Sequence, residues 1–299
     1  MSGTDGRAVQ RVGQGQRPRR RPRRTDAETG RLMLDAAVQL LAERGVTVAL
    51  DGLQLEDVIR RADVSRTSAY RRWPTREAFL DDVLLELAGG AELSDVAVRI
   101  GNEASELLAR HRQALATSRG RHDLLVDLLR QMFQTDLEST LASPQFKTYL
   151  ALRAAFVGVP SKELRDRLAA ALAHSERRAV ARGSAVLVGA CRLLGLRLSG
   201  PLGSGADGPA GLMKAVAATS TGFVVAALAD PAVMRPTELL APFGSPTRTA
   251  WSIPALALTT LVLSQVEPDP EAPGPNWKAL ARALPRLVEA GNAAAAAAV

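Results

Sequence analysis

Two short stretches of helical apolar spacing, residues 55–62 and 66–71, are joined by only Asp63-Val64-Ser65 and stopped by Trp73-Pro74. In the first, Leu55, Val58, Ile59 and Ala62 fall on one helical face. Asp63 is a residue that tolerates the left-handed backbone of a tight turn, and Ser65 is a good N-cap for the second stretch. Pro74 disfavours helical backbone at Trp73, which ends that stretch. Upstream, a helix is expected from Thr25 or Asp26, with Leu32, Leu34, Ala36, Ala37, Val38, Leu40 and Leu41 as its apolar face and Arg44-Gly45 as its stop. Residues 46–51 read as extended. Downstream, Thr75-Arg76-Glu77 caps a helix carrying Phe79, Leu80, Val83, Leu84 and Leu87.

Two short helices joined by a tight turn behind a support helix form the architecture that places a helix in the major groove of DNA. The side chains fit that use. Between residues 60 and 76, Arg60, Arg61, Arg66, Arg71, Arg72 and Arg76 stand against Asp63 alone, interleaved with the hydroxyls of Ser65, Thr67, Ser68, Tyr70 and Thr75. These are donors for phosphate oxygens, and Arg66, at the start of the second short helix, is placed for a base edge. The bland reading of the same arginines is a solvated helical face.

Residues 57–80 resemble the signature of the tetracycline-repressor (TetR) family. Val58, Ala62, Val64, Ser65, Ser68, Tyr70, Trp73, Glu77 and Leu80 match its pattern, whereas Ile59, Asp63, Ala69 and Arg76 stand where it has Ala, Gly, Leu and Lys, and Gln54 where it often has Thr. The resemblance covers roughly residues 26–88. It implies an all-α fold: an N-terminal three-helix helix-turn-helix domain plus a larger helical ligand-binding and dimerisation domain. It further implies a homodimer of nine or ten helices per chain that binds a palindromic double-stranded operator and is released by a small-molecule effector. Residue by residue, it suggests Tyr70 and Arg76 as phosphate contacts and Arg66, Thr67 and Arg71 as groove-facing.

The net charge of +7 resides in one place: residues 1–24 hold eight arginines against Asp5, and the rest of the 299-residue chain balances. This Gly-, Gln-, Arg- and Pro-rich tail is expected to be disordered. Arg19, Arg20, Arg21, Arg23 and Arg24 lie directly before the first helix, and two readings stand, a minor-groove arm or a non-specific polyanion binder. An architectural nucleic-acid-binding protein working through this tail is the alternative to a sequence-specific regulator.

Beyond residue 90 the pattern stays helical, with segments expected at 93–118, 121–141, 143–158, 161–182, 210–229, 251–266 and 276–290. Gly120 and Gly158 read as stops, 199–209 as a break, 230–249 as a Pro-punctuated loop, 267–275 as a linker, and the alanines 293–298 as low complexity. The domains expected are an arm (1–24), a DNA-binding domain (25–90), an effector and dimerisation domain (91–266), and a linker with terminal helix (267–299). On one helical face Phe146, Tyr149, Arg153 and Phe156 read either as core or, with Phe133, as an effector pocket anchored by Tyr149 and Arg153. Gly211, Ala215, Ala218, Gly222 and Ala226 make a small-residue face suited to a dimer bundle or to a buried intrachain helix. Lone Cys191 sits in an apolar stretch and reads as core. No nucleotide loop, nucleophile motif or metal spacing is present, so no enzyme, cofactor or metal is expected. The apolar stretches 215–229 and 251–263 fall short of a membrane span. A cytoplasmic, nucleoid-associated protein is the expectation.

Overall fold

Thr25 opens the first helix through a reciprocal cap: its Oγ1 accepts from the Glu28 N–H at 3.1 Å while Glu28 Oε2 accepts from the Thr25 N–H at 2.7 Å. The computed structural model describes residues 25–44, 53–89, 94–156, 158–159, 161–272 and 277–298. The tail 1–24 and the extended piece expected at 46–51 lie outside the described residues.

The first four helices are α1 (Asp26–Arg44), α2 (Leu55–Arg61), α3 (Arg66–Arg72) and α4 (Arg76–Gly89). Met33, Ala37, Val58, Ala69, Trp73, Phe79 and Val83 are all at most 2% exposed in their shared core. Trp73 meets Phe79 edge-to-face, ring centroids 5.0 Å apart, and donates its indole N–H to Asp82 at 2.9 Å. This buried ring is what the chain wraps around between α3 and α4.

The larger part consists of α5 (Ser94–Arg110), α6 (Ser118–Ala142), α7 (Pro144–Phe156), α8 (Lys162–Leu193), the single turn α9 (Pro201–Ser204), α10 (Pro209–Ala229), α11 (Ile253–Leu263) and α12 (Trp277–Ala297). Four three-residue strands make two antiparallel pairs. β1 (Leu196–Leu198) pairs with β4 (Val266–Pro268), and β2 (Glu238–Leu240) pairs with β3 (Thr249–Trp251). The all-α architecture with an N-terminal helix-turn-helix and a larger helical part is thus as expected. Leu152 of α7 and Leu164, Leu168 and Leu172 of α8 complete the N-terminal core, while later turns of α8 pack against α10 and α12. One helix therefore runs from the first core into the second.

Several boundaries differ from expectation. α8 does not stop at residue 182 but continues to Leu193. Its Gly183 and Gly189 are close-approach positions, where a Cβ would lie 2.6 Å from Met213 and 2.3 Å from Leu287. Gly120 is no stop either: it lies inside the first turn of α6, donating its N–H to the capping Thr117 hydroxyl at 3.0 Å. Val266, expected as the end of a helix, and residues 267–268, expected as linker, form a strand instead, tied to β1 by the Arg197–Glu267 ion pair at 2.7 Å. The loop 230–249 contains β2 and closes on β3. The terminal alanines extend α12, with Ala295 1% exposed, because small side chains let it lie close against α8. Cys191 is buried, and burial pushes its thiol up to about 11, which leaves it protonated at neutral pH.

Candidate nucleic-acid interface

The turn before α3 is built from local hydrogen bonds. Asp63 adopts the left-handed conformation at φ 49°, its N–H donates to Arg60 O at 3.4 Å, and the Val64 N–H donates to Ile59 O at 3.3 Å. This pair of bonds terminates α2 in a Schellman motif with Asp where Gly is usual. Ser65 then caps α3: its Oγ accepts from the Ser68 N–H at 3.1 Å and donates to Ser68 Oγ at 2.9 Å. Such a cap contributes about 1 kcal/mol. Thr75 performs the same service for α4, accepting from the Ala78 N–H at 3.2 Å.

With Ala69 buried, the opposite side of α3 presents Arg66, Thr67, Tyr70 and Arg71, all exposed. The side chains of Arg66 and Thr67 make no hydrogen bond among the described residues. Tyr70 donates its hydroxyl to Glu56 Oε1 of α2 at 2.8 Å, and that bond, with Arg66 nearby, lowers the Glu56 carboxyl below its usual range. Arg71 and Arg72 both face Asp26 at the start of α1, at 3.5 and 2.8 Å, and Arg72 lies 5.1 Å over the Trp73 ring. Arg76 is turned partly inward, donating to Leu53 O at 3.3 Å. Arg61 is engaged with Glu43 at 2.6 Å, and Arg60 with Asp57 at 3.1 Å. Arg19, Arg20, Arg21, Arg23 and Arg24 lie outside the described residues, but the first described residues, Thr25 and Asp26, stand beside the end of α3. Sequence reasoning missed Glu56 and Asp26. They come from other helices, 14 and 46 residues from their partners.

Away from this face, a cleft of about 360 Å³ between α7 and α8 is lined by Arg153, Phe156, Ala169, Leu172, Ala173 and Glu176. Tyr149 stands at its polar side: its hydroxyl donates to Glu176 at 3.0 Å and accepts from Arg153 at 2.6 Å, and Arg153 also pairs with Glu176. Phe146 stacks against Tyr149 at 6.0 Å between centroids. Phe133 is corrected out of this group. It is 5% exposed on the face of α6 turned into the second core, so it belongs to packing there. Glu176 carries no local signal in the sequence, because it lies 23 residues from Arg153.

The α10 residues divide. Ala218, Gly222 and Ala226 are exposed, Ala215 is half-buried, and Gly222 has open space where a Cβ would be. Gly211 lies on the same helical face but is covered there by the α9 turn, since its Cβ position is 2.9 Å from Leu202 O. Val225 and Leu228, exposed by 48% and 49%, join the open side, which small-residue spacing does not announce. By length and composition α10 could cross a membrane, because it begins at Pro209, earlier than the apolar stretch suggested. Here Leu212, Val216, Val224 and Ala227 bury its other side.

Among the described residues no group of three or more His, Cys, Asp or Glu is set to hold a metal. Residues 33–83, from within α1 to within α4, match the family described as bacterial regulatory proteins, tetR family. No curated protein and no solved structure matches the chain. The buried Trp73 core, the three-residue turn and the exposed Arg66–Arg71 face coincide with the matched stretch. The N-terminal helix-turn-helix of this chain is thus similar to the DNA-binding domain of bacterial regulatory proteins of the tetR family, which supports a DNA-binding regulatory role.

Proposed function

We propose that the chain is a dimeric repressor, with α3 of each copy lying in the major groove of one half of an inverted repeat, and that a small molecule in the α7–α8 cleft releases it. The observation that carries the first part is the division of α3: Ala69 anchors it while Arg66 and Thr67 stand exposed, their side chains without hydrogen-bond partners among the described residues. Arg66 reads a base edge, Thr67 and Arg71 flank it, and Tyr70, Arg72, Arg76, Ser65, Ser68 and the capped start of α4 at Thr75 meet the backbone. The arginines of residues 1–24 extend the contact along the duplex, starting beside the end of α3. Release is supported by continuity. α8 lines the cleft and carries Arg167, which stands 3.8 Å from Asp82, the same carboxylate that holds the Trp73 indole. Dimerisation is supported by the uncovered apolar side of α10.

Replacing Arg66 or Tyr70 with Ala tests the groove assignment by fluorescence anisotropy on operator and random duplexes. Arg66→Ala should cost about 1–3 kcal/mol on the operator and relax the preference at one base pair per half-site, with helicity unchanged. Deleting residues 1–24 should make the slope of log K against log salt shallower by about 0.9 for each phosphate that the tail neutralises. Wild-type affinity and preference in both point variants would contradict the groove assignment, and an unchanged slope would remove the arm from DNA.

A further inference from the structure

The α7–α8 cleft carries more chemical information than its shape. Its walls are Phe156, Ala169, Leu172 and Ala173, and its polar side is Arg153 with Glu176. Both hydrogen bonds of Arg153 leave from one nitrogen, Nη1, to the Tyr149 hydroxyl and to Glu176. The other edge of the guanidinium, Nε with Nη2, has no hydrogen-bond partner among the described residues. That edge offers two parallel N–H donors, the geometry that a carboxylate accepts bidentately.

Glu176 is already engaged, accepting from both Arg153 and Tyr149, so a cationic ligand would have to displace the guanidinium from it. A neutral ligand would leave the fork idle. α7 carries Lys147 and Arg153 without an acid, and residues 162–182 of α8 hold six basic against three acidic side chains, while α4, packed against both helices, carries Glu77, Asp81, Asp82 and Glu86 against Arg76. With the Glu176 charge close by, one planar negative charge suits the fork better than the double charge of a phosphate ester. The volume of about 360 Å³ lies at the small end of ligand sites.

Resting on the reading of this cleft as the effector site, we propose that its ligand is a small amphipathic monocarboxylate. The carboxylate lies on the Nε–Nη2 edge of Arg153 and its apolar body lies along Phe156, Leu172 and the two alanines. Glu176 and Tyr149 act as positioning residues that hold the guanidinium.

Isothermal titration of the full chain with 4-phenylbutyrate and octanoate, against the matching primary amides and amines, tests this. The carboxylates should bind, and the amides and amines should bind at least about tenfold more weakly. Arg153→Gln should lose about tenfold or more in carboxylate affinity. Arg153→Lys, which keeps the charge and discards the fork, should lose nearly as much. Circular dichroism should be unchanged in both, the side chain being half exposed. Amides or amines that bind as well as the acids, variants that bind the acids as wild type does, or no binding by any probe would each overturn the ligand class. Operator release is read separately by anisotropy. Carboxylate binding that leaves the DNA complex intact upholds the ligand class and contradicts the effector reading.

Discussion

Asp26 is the residue that most tempers the exposed basic surface of α3, since one carboxylate occupies two arginines at its end. Phosphate and Asp26 compete for the same guanidinium groups, so Asp26→Asn should tighten binding to any duplex by up to about fivefold and steepen the salt dependence. Anisotropy across a salt series checks this, and unchanged affinity would mean that Arg71 and Arg72 stay off the phosphates. A second residue concerns stability. Asp136 of α6 is crowded by protein though part of its surface meets solvent, and burial pushes its carboxyl up to about 6. A raised folded-state value means that the folded chain binds the extra proton between about 4 and 6, so stability falls as pH rises through that window. Asp136→Asn should therefore raise stability at pH 7.5 by about 1–2 kcal/mol and change little at pH 4, read from denaturation midpoints at both values. Equal gains at both would assign the effect to packing instead.

Elements whose causes are local were legible in the sequence. The Asp63 turn, the Ser65 and Thr75 caps and the start of α1 depend on hydrogen bonds within five residues, and all stand where the residue types indicated. What failed depends on distant partners. The expected helix 161–182 falls short of Leu193 because nothing near Gly183 and Gly189 announces the Met213 and Leu287 that pack on them. The strands Leu196–Leu198 and Val266–Pro268 are too short to alternate and pair across some 70 residues. For the candidate sites the same division holds: α3 supplied the exposed Arg66, Thr67, Tyr70 and Arg71, whereas Glu56, Asp26 and Glu176 came from other turns of the fold. α10 is the element where a partner is expected. Gly222 has open space at its Cβ, so Gly222→Leu leaves the monomer undisturbed. If the exposed side pairs across a two-fold axis, the bulk should shift the sedimentation equilibrium from dimer toward 31.7 kDa monomer by about tenfold or more. A dimer of unchanged strength would move the interface elsewhere.

For the whole molecule, α8 ties the N-terminal core to the rest of the chain, since its first turns complete that core and its later turns lie among α10 and α12. Two such molecules, each presenting one short α3, would read an inverted repeat with half-sites about one helical turn apart. A tail acting alone would read no sequence, because phosphate contacts carry charge and not base identity. Selection of bound duplexes from a random pool by the full chain, at physiological salt, separates the two most directly. The account predicts an inverted repeat bound at least about a thousandfold more tightly than random DNA. Recovery of unrelated sequences bound with equal affinity would contradict it.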